Sequence, residues 1–306
     1  MAEHRILVTG GRGFVGSHLV DRLRADGWSV PSLDRAAAQH ADDVRADVCN
    51  LNSVVAAMTG CEGVVHLAAV SRERMAKAHP RDCAETNVLG TVTVLEAARL
   101  TGISPWLLLA STRDVPDAGY AARSVYGASW LAAETFAQRY AEDYGLRVLT
   151  LRLSDVYGSL RDHEGKLLPS VVRQALQGRV ITIRDEGQRF DFTWYEDVLH
   201  AFRLGIAKLG SQSVAGFEAV TICTGRSIRL LPLVDLVLDE VRRRTRPGNG
   251  CPGPFASQSS ASDLASAPIW NDPAPARKLL GFQATVSLGD GIRRLVEDAR
   301  LTIVRI

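Results

Sequence analysis

Gly10, Gly13 and Gly16 stand three residues apart in Gly10-Gly-Arg-Gly13-Phe-Val-Gly16, after the apolar run Arg5-Ile-Leu-Val-Thr9 and before a helical run through Ser17, Leu19, Val20 and Leu23. A strand that turns on glycines into a helix offers free backbone N–H groups and a positive helix end, the chemistry that holds a pyrophosphate. Gly10 permits the turn, Gly13 lets backbone approach the phosphates, and Gly16 lets helix pack on strand. This spacing differs by one residue from the commonest dinucleotide fingerprint, so context carries the reading. Asp34 supplies it, closing a second strand, Ser29-Val-Pro-Ser-Leu33, at the interval of a ribose-binding carboxylate. Phe14 and Val15 belong to the same turn and count as cofactor-facing. Arg12 and Arg35 could clamp a 2′-phosphate, whereas Asp34 prefers free ribose hydroxyls. A carboxylate beside an arginine can be paired or swing out, which leans the expectation slightly to NADPH over NADH.

The elements that must position these groups alternate. Asp47-Val48 closes an extended segment, Leu51 to Met58 reads as a short helix, and Gly63-Val-Val-His-Leu67 as a strand. The small pair Ala68-Ala69 follows, where a cofactor across the strand ends leaves little room. Asp47, Val48, Leu67, Ala68 and Ala69 are therefore expected beside the cofactor, with Ser71 beyond them on the substrate side. A long amphipathic helix runs from Asp82 to Leu100. Trp106-Leu-Leu-Leu-Ala110 then delivers Ser111 and Thr112 to the carboxyl edge where parallel sheets bind ligands. A helix starting at Ser124 runs to about Tyr144, and Leu146 to Leu151 is the next strand. Such alternation predicts an α/β fold with a doubly wound parallel sheet.

Composition narrows the function classes. A chain of 306 residues with 23% charged residues and a net charge of +2 has no strong field, so neither nucleic acid nor membrane is an expected partner. Cysteines 49, 61, 83, 223 and 251 lack metal spacing and read as thiols of a reducing compartment. No run approaches the roughly 18 apolar residues of a membrane span, and the expected location is cytoplasmic. The seven histidines are isolated and read as surface or packing residues, so no metal is expected.

Thr9-Gly-Gly-Arg-Gly-Phe-Val-Gly16, His66-Leu-Ala-Ala69, Asn87-Val-Leu-Gly-Thr91, Ala110-Ser-Thr112 and Ser124-Val-Tyr-Gly-Ala-Ser129 together resemble the extended short-chain dehydrogenase/reductases, the nucleotide-sugar epimerase/dehydratase group. Val156-Tyr-Gly158, the stretch from Gly187 to Val198 and Ala276-Arg-Lys-Leu-Leu-Gly-Phe282 fit too, so the resemblance spans nearly the whole chain. It implies a Rossmann-type fold. It also implies that Thr112, with Ser111 beside it, holds a substrate carbonyl oxygen, and that Tyr126 handles the proton and faces the cofactor. A Lys four residues after that Tyr grips the nicotinamide ribose and lowers the phenol pKa in the family; here the position holds Trp130.

Two further positions depart from the family pattern. Asp155 stands where an Asn faces the substrate diphosphate, and Phe190 where an Arg clamps it; Arg189, next along an extended strand, would point to the opposite face. Loss of a cation, an amide and a guanidinium suggests a pocket with less affinity for anions and more flat apolar surface. Trp130, Asp155 and Phe190 are accordingly expected on the substrate side. The reading these changes favour is an NAD(P)H-dependent ketoreductase acting on a bulky aromatic or polyketide-like ketone, akin to angucyclinone reductases. A nucleotide-sugar epimerase, dehydratase or 4-ketoreductase is the alternative from the same fold, and an inert dinucleotide-binding protein the alternative from another class.

Residues 1–165 are expected to form the dinucleotide-binding domain and 166–306 a smaller α/β substrate domain, with strands or helices free to cross back. Helices are predicted over Leu167–Leu176, Tyr195–Leu209, Leu230–Arg243, Ala274–Leu280 and Leu288–Leu301, and strands over Val180–Ile183 and Val220–Cys223. Pro247 to Pro268 reads as a mobile loop. The long helices of the first domain suggest a homodimer, by resemblance alone.

Overall fold

Strand β1 (Ile6–Thr9) is buried along its whole length, and the turn after it leads into helix α1 (Phe14–Ala25). Short strands β2 (Ser32–Asp34) and β3 (Val44–Arg45) follow, then α2 (Leu51–Met58), capped where Asn50 accepts from the Ser53 N–H, and β4 (Gly63–His66). Beyond α3 (Glu73–Ala78), the helix predicted over Asp82–Leu100 is continuous from Pro80 but not uniform. It consists of α4 (Pro80–Cys83), a π-helical turn over Ala84–Leu89 and α5 (Gly90–Leu100). Strand β5 (Trp106–Thr112) is wholly buried, and α6 (Val125–Tyr144) starts where the Ser124 hydroxyl accepts the Gly127 N–H and stops at Gly145, whose φ is 71°. Strand β6 (Arg147–Leu153) comes next.

The chain continues through β7 (Asp155–Tyr157), α7 (Leu167–Leu176), β8 (Thr182–Asp185), β9 (Arg189–Phe190), β10 (Phe192–Trp194), α8 (Tyr195–Ser211) and β11 (Gly216–Ile222). It closes with β12 (Ile228–Arg229), α9 (Leu230–Arg244), β13 (Ala256–Ser259), α10 (Ala274–Leu280) and α11 (Leu288–Ile303). This computed structural model describes residues 4–101, 105–115, 122–159, 162, 165–185, 188–211, 215–244, 256–259 and 271–303. Most of the loop expected over Pro247–Pro268 lies outside the described residues; its 256–259 portion is β13, paired in parallel with β8.

Two compact units emerge, one of residues 1–153, 199–222 and 275–282, the other of 154–198, 223–274 and 283–306. The first holds a sheet of seven parallel strands in the order β11-β6-β5-β4-β1-β2-β3, the doubly wound α/β fold that the alternation predicts. Its central strands are continuous apolar runs because helices cover both faces of a parallel sheet. Leu7, Val64, Leu107, Leu109 and Val148 pack there with Val94, Leu95 and Ala98 of α5 and Ala137 and Ala141 of α6. Parallel pairing aligns the carboxyl ends, with Thr9 opposite His66 and Thr112 opposite Leu153. Everything expected to do chemistry in this unit stands along that one edge.

The strand expected over Val220–Cys223 begins at Gly216 and is the outer strand of this main sheet, pairing along its length with β6. In the second unit, α7, α9 and α11 enclose Leu168, Val172, Leu233, Val237, Leu295 and Val296 with Tyr157, Phe192 and Trp194.

Candidate active site at the carboxyl edge of the sheet

Gly10 takes φ 70°, and a Cβ there would lie 2.5 Å from the Ala68 nitrogen. A Cβ on Gly16 would lie 2.2 Å from the Gly10 oxygen. Only glycine lets turn, helix and the Leu67–Ala69 segment approach so closely. No side chain caps the start of α1 and no acidic residue stands in its first turn, which leaves the helix dipole facing an anion site. The Asp34 carboxylate, at the end of β2, accepts from the Arg12 N–H at 3.0 Å and from the Ala36 N–H at 2.9 Å. Two backbone donors hold it in place, so the swing that the NADPH lean required does not occur. Arg12 Nε is buried with no partner, while Arg35 is exposed. These residues fit a dinucleotide: an uncapped helix end for the pyrophosphate, a fixed carboxylate for a ribose diol and room where side chains are missing.

Of the other cofactor-facing candidates, Phe14 and Val15 open α1 half-buried, Leu67, Ala68 and Ala69 are half-buried beyond β4, and Asp47 is exposed, its carboxylate accepting the Cys49 N–H at 2.9 Å. Val48 is buried in the core, where it would meet a Cβ on Gly90 at 2.7 Å, and serves packing. Ser71 is exposed.

A polar chain holds the Leu67–Ala69 segment. The Thr91 hydroxyl donates to the Asn87 carbonyl at 2.6 Å, so its oxygen accepts from His66 Nε2–H at 3.1 Å. His66 Nδ1 then accepts from the Thr9 hydroxyl at 2.7 Å, and the Thr9 oxygen from the Ala68 N–H at 3.3 Å. Burial pushes His66 down to about 4, so the ring stays neutral. Asn87, in the π-helical turn, accepts the Val70 N–H at 2.8 Å and donates to the Ser129 hydroxyl at 3.0 Å, tying this segment to α6. Sequence reasoning gave Asn87 and His66 no positioning role. An amide just before the helix-packing Gly90 was the available signal.

Thr112 is buried at the end of β5, its hydroxyl donating to Asp114 at 3.2 Å. Tyr126 lies near it, in the first turn of α6. Burial drives the Tyr126 phenol well above its usual range and the Asp114 charge adds to this, while the Trp130 indole and the Thr112 hydroxyl pull the other way. Ser111 turns elsewhere: its hydroxyl donates at 2.6 Å to buried Glu134, whose carboxylate also takes Arg152 at 2.7 Å. Thr112 and Tyr126 are therefore brought together without Ser111. Trp130, 5% exposed, packs with Val115, Ala133 and Tyr126 and offers no open surface.

The second unit positions the remaining candidates by itself. Asp155 is half-buried, its carboxylate accepting the Asp191 N–H at 3.3 Å. Asp191 in turn accepts from Thr224 and Gly225 backbone N–H groups at 3.0 and 2.9 Å. Phe190 stacks on Phe192 with centroids 5.6 Å apart, and Arg189 donates to the Ser227 hydroxyl at 3.4 Å. Trp130 thus spends its flat surface on protein contacts, while Phe190 stays half-buried beside Phe192. No helix among the described residues is long and apolar enough to cross a membrane.

Residues 6–215 match the model of the NAD dependent epimerase/dehydratase family. The chain is 30% identical to a UDP-glucose 4-epimerase of Mycolicibacterium smegmatis, covering 97% of this chain and 98% of that one. Among solved structures, DesIV, a dTDP-glucose 4,6-dehydratase from Streptomyces venezuelae with NAD and TYD bound, is 26% identical with a TM-score of 0.80, covering 98% of each chain. MoeE5 in complex with UDP-glucuronic acid and NAD is 28% identical with a TM-score of 0.78, covering 97% of this chain and 99% of that one. Because the family model matches more than half of the chain and the epimerase relative is 30% identical over nearly the whole of both chains, the chain belongs to the NAD dependent epimerase/dehydratase family.

Proposed function

We propose that this protein is an enzyme that binds NAD(H) and reduces the keto group of a nucleoside diphosphate sugar. The pinned Asp34 supports NAD(H) over NADP(H), because a fixed carboxylate repels a 2′-phosphate and accepts from ribose hydroxyls. Bound, the dinucleotide supplies a hydride. The observation that carries the direction is the Tyr126 phenol, half-buried against Trp130 beside Thr112 with no cation among the groups acting on it, so that it stays protonated. A neutral phenol can give a proton to an oxygen that is becoming an alcohol and is a poor base for removing one. The Thr112 hydroxyl, which donates to Asp114 in the resting site, turns from that carboxylate to the keto oxygen when substrate binds, and so remains committed elsewhere than to the phenol. The UDP- and dTDP-sugar relatives support the substrate class, and the burial of Trp130 against Val115 and Ala133 leaves it little surface for a planar aromatic ketone.

The test follows NADH oxidation with UDP- and dTDP-4-keto sugars beside a panel of aromatic ketones, with calorimetry of UDP and dTDP. Expected are heat from at least one nucleotide and turnover of its keto sugar, with Tyr126→Phe losing about 10²- to 10⁴-fold. Turnover of an aromatic ketone without nucleotide binding would overturn the reading in favour of the polyketide-type substrate. Binding of NADH with no turnover at all would favour the inert binder.

A further inference from the structure

The Trp130 indole carries a polar hydrogen that the fold leaves unmatched. Trp130 is 5% exposed, and its Nε1–H has no hydrogen-bond partner. Burying such a donor is unfavourable, and a packing role alone would be served by an apolar ring. The indole stands edge-on to the Tyr126 ring, centroids 6.2 Å apart and planes at 88°, and both pack with Val115, Ala133 and Ala69. It lies close enough to favour the ionised phenol without reaching hydrogen-bond geometry at rest. Thr112 has one hydroxyl proton, which it gives to Asp114. The buried donor beside the phenol with nothing else to do is the indole N–H.

We propose that Trp130 Nε1–H is the hydrogen-bond donor that receives the charge developing on the Tyr126 oxygen as that phenol gives up its proton. The proposal rests on the reductive reading above. In that step the Tyr126 O–H bond breaks, its proton forms the new O–H bond of the product alcohol, and the electron pair stays on the phenol oxygen. NADH is the reductant, and water later returns a proton to Tyr126. A neutral donor does this without making the resting phenol acidic, as a neighbouring cation would. Among the described residues, the Asp114 charge opposes ionisation of the phenol, which leaves this donor the more needed.

Full-length protein carrying 3,5-difluorotyrosine at position 126 brings the phenol into a range where the fold survives. Fluorine NMR then gives its ionisation midpoint, and proton–nitrogen spectra follow the Trp130 indole N–H through the same titration. The indole resonance is expected to move with the midpoint of the phenol. Trp130→Phe should raise that midpoint by about one pH unit and lower kcat by up to about tenfold, with NADH affinity unchanged. An indole resonance that stays flat, or a midpoint unmoved in Trp130→Phe, overturns the proposal; if that variant does not fold, the indole resonance decides. Should Tyr126→Phe keep full keto-sugar turnover while the indole still follows the phenol, the reductive reading fails and the hydrogen bond stands.

Discussion

On the proposed reading, single residues set which cofactor fits and whether it fits at all. Asp34 is held by two backbone donors, so its charge stands in a fixed place. Asp34→Ser should raise the ratio of kcat/KM for NADPH over NADH by about tenfold or more, since one uncompensated close charge pair at intermediate dielectric is worth several kcal/mol; steady-state kinetics with both cofactors checks it. Gly16→Ala would drive a Cβ into the Gly10 carbonyl and the Gly11 Cα, which are backbone atoms unable to yield. It should abolish measurable NADH binding in calorimetry. These residues were legible because each acts through its own type and a short spacing. Ser111 was not. On an extended strand it faces away from Thr112, so adjacency in sequence separated the two hydroxyls and sent Ser111 to Glu134.

Among the elements, the π-helical turn between α4 and α5 turns Asn87 onto the segment after β4 and onto α6 at once. Asn87→Leu takes the acceptor from the Val70 N–H, at about 1–3 kcal/mol for that group, while the Ser129 hydroxyl loses one donor but keeps its bond to the Tyr126 carbonyl. Urea unfolding should show the loss, and hydrogen exchange at Val70 should quicken. His66 adds a pH dependence. Its folded value is about 4 against an ordinary 6.5, so the unfolded chain takes up the proton first as pH falls. Stability should therefore drop between roughly pH 6.5 and 4, by up to about 3 kcal/mol, and level off below. Urea midpoints measured across that window should fall, and His66→Gln should flatten the slope. An amphipathic period shows that a helix runs here but not that it carries an extra residue in one turn; that depends on the polar partners waiting on β4 and α6.

At the scale of the whole molecule, the order of strands along the chain is not their order in the sheet. The alternation of strands and helices made the sheet legible as far as β6, since each unit there is local. The place of β11 was not legible, because seven residue pairs link it to β6 across residues 154–198, the first segment of the second unit, and helix α8. A fragment of residues 1–165 would leave β6 without that neighbour. It should express as aggregate or lack a cooperative melt, whereas the full chain should melt cooperatively when followed by circular dichroism. The same feature governs how the protein is born. While the ribosome is still making the segment between β6 and β11, the emerged portion has an unsatisfied, apolar sheet margin facing water. Cells must shelter that nascent edge until Gly216–Ile222 leaves the exit tunnel, so slowing translation between β6 and β11 would put yield at risk more than slowing it anywhere after.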